Sequence, residues 1–336
     1  MPKKTIKLME VCGTHTHAIA CFGIKQMLPE NVELISGPGC PVCVTANETI
    51  DKMIALAKIP GVTIATFGDM MRVPGSTSSL TIEKSKGAHI EVVYSPLDAL
   101  ELAKNTSEEV VFLGVGFETT APTTAATILR AQEMGLKNFS VFCAHKNMPG
   151  ALDLIANDAQ VQVNGLILPG HVSTIIGLEP YKFLAEKYGI PGVVAGFDAD
   201  DIMLAIKMLS AQIENGKAKI ENAYPRGVRE KGNPKAQNLI TEVFETCDST
   251  WRGLGNIAGS GYKIRDKFKV FDAEEKFEIK PEPTQENKAC KCGDVLRGII
   301  TPNECPLFGK VCNPQNPVGP CMVSTEGSCS ARYKYL

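Results

Sequence analysis

The sequence lacks an excess of charge of either sign. Its 35 lysines and arginines stand against 37 aspartates and glutamates, a formal net charge of −2. Nucleic-acid binding, which needs a basic surface to meet phosphates, gains no support from that balance. No apolar run reaches the roughly 18 residues of a membrane span. The N-terminus, MPKKTIKLMEVCGTHTH, has early lysines but no apolar stretch of the kind a secretory signal needs. A Walker-type phosphate loop occurs nowhere. The segment GVGFETTAP (114–122) has a GxG but lacks the third glycine of a dinucleotide fingerprint, so nucleotide binding is unsupported. Paired CxxC knuckles, the mark of structural zinc, are missing too.

Cysteine is abundant instead, with twelve in the chain. Without a secretory signal they imply a reducing, cytoplasmic setting. There thiols serve as metal ligands or redox groups more often than as a disulfide framework.

Between about residues 30 and 210 short apolar runs alternate with helical patterns. Strand candidates are 32–36, 62–67, 90–95, 110–116, 139–144, 165–170 and 192–197, with a short apolar strand KLMEV before Cys12. They are apolar throughout, as strands covered on both faces are. Helices are expected over 48–58, 95–105, 123–135 and 199–213. This rhythm predicts an α/β fold with parallel sheets in two lobes. The first lobe, 20–104, carries the CxxC. The second, 105–215, opens at VVFLGVGFETTAP. Residues 1–19 and 216–336 supply linking segments and a small cysteine-rich domain. DAEEKFEIKPEPTQENK (272–288) is charged, holds two prolines and reads as a solvated linker.

The last 47 residues hold six cysteines, at 290, 292, 305, 312, 321 and 329, among many glycines and prolines. So few apolar residues cannot build a core alone, so bound metal is expected to help fold the segment. Cys292, Cys305, Cys312 and Cys329 are separated by 12, 6 and 16 residues. Four thiolates fully ligate an iron–sulfur cluster, whose sites favour irregular backbone. Six thiols leave two over, and chemistry alone does not choose among them. One or two zinc sites with inert spare thiols are the competing reading.

SGPGCPVCVTANE follows a strand and precedes a helix. Cys40 and Cys43 resemble a redox dithiol near a helix N-terminus, where the dipole lowers a thiol pKa. The plain alternative is two buried small residues in a turn. In CGTHTH, Cys12, His15 and His17 suit iron, copper or zinc. Two histidines at i and i+2 share a side only in extended chain and diverge in a helix. Local helix capping is the alternative there. Glu118, Thr119 and Thr120 close another strand and are candidates to line a crevice at the sheet's carboxyl edge. His145 in CAHKNMP and His171 in LPGHVST also follow strands, as does Asp69 in FGDMMRVPGS. Taken singly, each reads as turn-stabilising. Cys21 and Cys143 read as packing residues, and Cys247 as one in a helical run.

Together CGTHTHAI, SGPGCPVCVT, GVGFETTAPT, LPGHVSTIIG, PRGVREKGNP and the tail CKCGDVLRG…CPLFGKVC…PVGPCMVSTEGSC resemble the HypD family of [NiFe]-hydrogenase maturation factors, over nearly the whole chain. The resemblance implies a scaffold that builds the Fe(CN)₂CO unit in complex with the chaperone HypC, with cyanide from HypE, itself charged by HypF. It implies two α/β lobes and a smaller domain with one [4Fe–4S] cluster. The family's cluster ligands fall on Cys292, Cys305, Cys312 and Cys329, its iron-site cysteine on Cys12 beside His15 and His17, and its redox pair on Cys40 and Cys43. Cys290 and Cys321 would form a second thiol pair near the cluster. Low-spin iron carrying cyanide and CO wants thiolate ligands. Electrons passing from cluster to CxxC fit the need to keep that iron low-valent. A crevice between the lobes is expected to exclude water and oxygen, with Glu118 and His145 or His171 meeting cyanide nitrogens or moving protons. On this reading the protein is a redox-active assembly factor acting in a complex, without nucleic acid or membrane. A free-standing, cluster-dependent thiol–disulfide reductase and a zinc-stabilised binding module are the alternatives.

Overall fold

The computed structural model describes residues 5–335. Residues 1–4, the start of the expected N-terminal linking segment, and residue 336 lie outside them. Eleven strands are named in chain order: β1 (Ile6–Glu10), β2 (Val32–Ser36), β3 (Val62–Thr66), β4 (His89–Val92), β5 (Glu109–Gly116), β6 (Phe139–His145), β7 (Gly165–Pro169), β8 (Gly192–Ala195), β9 (Ile220–Asn222), β10 (Phe244–Trp251) and β11 (Gly255–Ile264). Two parallel sheets result, ordered β2-β1-β7-β8-β9 and β4-β3-β5-β6. The central strands are apolar because helices cover both faces, whereas the edge strand β4 is mostly exposed. Seven of the eight residues of β5 are buried. Among the described residues no helix is long and apolar enough to cross a membrane.

The chain forms two compact units. The first takes residues up to Val44, Met148–Pro234, and those from Lys288 on. The second takes Thr45–Asn147 and Lys235–Asn287. This differs from the sequential lobes 20–104 and 105–215. β1, expected in a linking segment, sits inside the first sheet, pairing with β2 (Leu8↔Leu34) on one side and β7 (Leu8↔Gly165) on the other. β3, β4, β5 and β6 make the second sheet. Local pattern marks a strand but not its partner, because parallel neighbours are joined through crossovers.

The four expected helices form, as Asn47–Ala57, Pro96–Lys104, Ala121–Glu133 and Ala199–Glu214. Two have reciprocal caps. Ser95 with Asp98 and Asp198 with Asp201 each satisfy orphan N–H groups at a helix start. The antiparallel hairpin β10–β11 was not expected. It belongs to the second unit, and its burial alternates residue by residue along β10. Trp251 is buried in it, stacked on Phe117 and donating its Nε1–H to Ser260 Oγ at 2.8 Å. Cys247 lies on β10, not in a helix. Polar residues and glycines hid this ribbon, since only one face is covered.

In the first unit the turn after β2 lies against the loop after β1. A methyl group added to Gly39 would meet the Cys12 backbone nitrogen at 2.2 Å and its Cα at 2.4 Å. Backbone cannot give way as a flexible side chain can. Gly39→Ala is therefore expected to cost on the order of 2–3 kcal/mol. The urea midpoint of the first unit's transition should fall. An unchanged midpoint would mean that the two loops separate freely.

Candidate functional site

In the first sheet the order of winding reverses between β1 and β7. The carboxyl ends of the strands at such a reversal point are the usual ligand position in sheets of this kind. Cys12 follows β1, Cys40 follows β2, His171 follows β7 and Phe197 follows β8.

Cys12 holds the N-cap position of the helix Gly13–Cys21, in extended conformation. Its N–H donates to Glu10 Oε2 at 3.2 Å, and the Gly13 N–H donates to the Gly39 carbonyl at 2.9 Å. Burial pushes the Cys12 thiol up to about 12, and the Glu326 carboxylate adds to this, while the backbone N–H groups of His15 and Thr14 oppose it. Glu326 comes from the cysteine-rich tail. It accepts a hydrogen bond from Thr14 Oγ1 at 2.7 Å, and its Cβ occupies the space a side chain at Gly13 would need. Glu10 is buried, accepts from Thr16 Oγ1 at 2.6 Å and is raised to about 7 by burial, against hydrogen bonds from Thr16, Ser36 and Cys12. Sequence reasoning missed both carboxylates. A charged residue ending an apolar strand was the available signal for Glu10; Glu326 offered none.

The helix separates the two histidines. His15 is buried, with Nε2 2.8 Å from the Gly196 carbonyl. Its ring packs on Phe197, which stacks on His171 at 3.9 Å between centroids. His17 instead meets Tyr335, whose hydroxyl lies 3.4 Å from its Nε2. Cys21, expected to be core, is exposed at the end of the helix. One helical position beyond the buried stripe turns it outward.

Cys40 and Cys43 are bonded to each other, with Cα atoms 5.2 Å apart. Both are buried, and the Cys43 sulfur lies 3.9 Å from the Pro320 carbonyl. Next to Pro320 is Cys321, whose sulfur is 2.7 Å from that of Cys292. All six tail cysteines line one cavity, with Val295, Leu307, Phe308 and Met322 among its apolar walls. Gly319 leaves the space open, since a Cβ there would come within 2.9 Å of the Cys290 sulfur. The Val318 N–H points at the Cys312 sulfur, 3.4 Å away. Burial raises Cys290 to about 12 and also raises Cys329, with neighbouring thiols adding to both; hydrogen bonding from Cys292, then burial, raises Cys321. Among the described residues no three metal-binding side chains converge as ligands of a single ion. A ring of soft donors around an apolar space with an N–H···S contact does fit the thiolate cage of a cluster.

The second unit has its own reversal point, between β3 and β5. Asp69 follows β3, and Glu118, Thr119 and Thr120 follow β5. Glu118 is 1% exposed. His145, at the end of β6, lies between Thr120 Oγ1 (3.4 Å) and Thr124 Oγ1 (3.0 Å), where it steadies the start of the helix Ala121–Glu133. Cys143 donates to the Tyr262 carbonyl at 3.2 Å.

Burial lowers His145 to about 4 from 6.5, so the folded state resists charging it. Stability from this group is complete above pH 6.5 and is lost as pH falls toward 4, on the order of 3 kcal/mol in full. His145→Gln should flatten that part of the acid limb in denaturant titrations from pH 7 to 4. An identical acid limb would contradict the buried neutral imidazole.

The sequence profile of the HypD family, described as the hydrogenase formation hypA family, matches residues 1–336. The chain is 48% identical to the hydrogenase maturation factor HypD of Azotobacter vinelandii, over 99% of this chain and 90% of that one. It is 46% identical to HypD of Cupriavidus necator over the same shares. A putative hydrogenase expression/formation protein of Methanocaldococcus jannaschii is 46% identical over 98% of this chain and 92% of its own. With such likeness running from end to end, the chain belongs to the HypD family of hydrogenase maturation factors.

Proposed function

We propose that this protein is the scaffold on which the Fe(CN)₂CO unit of [NiFe] hydrogenases is assembled, with HypC as partner and HypE as cyanide donor. The observation that carries this is the continuity of thiols in the first unit. The tail cysteines touch Cys43 through Pro320, and the Gly39 turn before Cys40 lies directly on Cys12.

Cys12 is the iron ligand in this reading, and HypC supplies another. Soft thiolate suits low-spin Fe(II), and binding the cargo replaces the thiol proton. Glu10 and Glu326 flank Cys12 and are placed to take that proton. Cys292, Cys305, Cys312 and Cys329 hold a [4Fe–4S] cluster, with Cys290 and Cys321 as a second thiol pair beside it. When bound, that cluster supplies single electrons. A Cys40–Cys43 dithiol would hold two electrons and two protons more than the disulfide present here. His15, in the helix that follows Cys12, and His171 both pack on Phe197 and steady the surroundings of Cys12. Glu118, followed by Thr119 and Thr120 in the second unit, carries a proton during assembly.

Co-expression with HypC and HypE, followed by infrared spectroscopy, tests the scheme. Cys12→Ala should abolish the cyanide and CO stretching bands and leave the tail's metal content intact. Cys43→Ser should retain that metal and lose cyanide transfer, and Glu118→Ala should lower band intensity at least tenfold. Full bands in Cys12→Ala would overturn the scaffold role. The buried disulfide beside the tail thiols also suits a self-sufficient disulfide reductase. That reading requires the purified protein alone to turn over a disulfide substrate.

A further inference from the structure

A cavity of about 40 Å³ lies behind Glu10 in the first unit. Such a space holds on the order of two or three water molecules. Ile19, Leu34 and Ala331 form part of its apolar wall, while Glu10, Lys25 and Arg332 bring charge to it. Glu10 is already committed to Thr16, Ser36 and the Cys12 N–H. Among the described residues neither cation has a carboxylate within ion-pair distance; Arg332 Nε donates only to Asn303 Oδ1, at 3.2 Å. Lys25 is exposed at the mouth of the cavity; partial desolvation lowers its ammonium, with Glu10 opposing, Arg332 adding to the shift and Glu33 opposing it. Two cations therefore face a small cavity beside one committed carboxylate, Glu10, while Glu33, the other carboxylate acting on Lys25, is paired with Lys7 at 3.7 Å. One further negative charge would balance the site.

We propose that this cavity binds a small monovalent anion of two to four heavy atoms, held between Lys25 and Arg332. The enclosed part of the cavity matches an anion of that size. The forked guanidinium favours a planar oxyanion such as formate or bicarbonate, and the ammonium accepts a linear pseudohalide equally well. Glu10 forms the link to function. It borders the cavity and also accepts the Cys12 N–H, so the anion sits one side chain away from the cysteine. The site is a holding place for a small anionic reactant beside Cys12, and its binding does not depend on the iron chemistry proposed above.

The test is calorimetric titration of the intact, anaerobically purified protein with formate, bicarbonate and thiocyanate, at fixed ionic strength in chloride. At least one should bind one-to-one and at least tenfold more tightly than chloride. Lys25→Gln and Arg332→Gln should each weaken binding at least tenfold while leaving the thermal midpoint in place. Both side chains reach the surface, so neither variant is expected to unfold. Preference for formate and bicarbonate would mark a planar oxyanion site, and preference for thiocyanate a linear one. No binding beyond chloride, or binding unchanged in both variants, would overturn the proposal. Because the readout is binding by the protein alone, its failure would leave the scaffold role untouched.

Discussion

No side chain fits between Gly39 and the backbone of Cys12, and the rest of the first unit is organised around that contact. It fixes the loop after β2 against the loop after β1, and so places the Cys40–Cys43 pair beside Cys12. The same loop is held from the tail, where Glu326 fills the space beside Gly13 and accepts from Thr14. Cys12 is thus gripped by two segments far apart in sequence. Each grip depends on a glycine, because backbone must approach backbone or a packed side chain without a Cβ intervening. Local precision of this kind is what the proposed role of Cys12 as an iron ligand requires.

The cysteine-rich tail carries the second constraint. Its few short elements expose little apolar surface to bury, yet its last helix, Ser328–Tyr335, packs on the helix that Cys12 caps. Cys329 lies in that last helix, three residues after Glu326. Whatever orders the six thiols also orders the groups that flank Cys12. Under the proposed cluster, metal-linked folding of the tail would also set Glu326 beside Cys12.

Much of this was legible in the chain. Seven strand candidates between 32 and 197 correspond to β2 through β8, because a buried parallel strand is an uninterrupted apolar run. What could not be read was partnership. β1 looked like a lead-in to CGTHTH, yet it is the strand that joins β2 to β7. The hairpin β10–β11 was hidden because one face is wet and glycines stand where strand formers would. Cys12, Cys40 and the tail cysteines announced themselves by residue type. Glu10, Glu326 and Phe197 did not, since their roles come from tertiary placement alone. CGTHTH suggested a pair of histidine ligands; its helical geometry sends His15 to Gly196 and His17 to Tyr335.

The proposed scaffold role requires the tail to be an electron-carrying cluster site adjoining the disulfide and Cys12. Its most direct test is the iron, sulfide and zinc content of anaerobically purified protein, with Mössbauer spectra, for the wild type and for Cys305→Ala. About four irons and four sulfides per chain, lost in the variant, are predicted from four-thiolate ligation. Zinc without acid-labile sulfide in the wild type would contradict the account, because the thiol chain to Cys12 would then have no source of electrons.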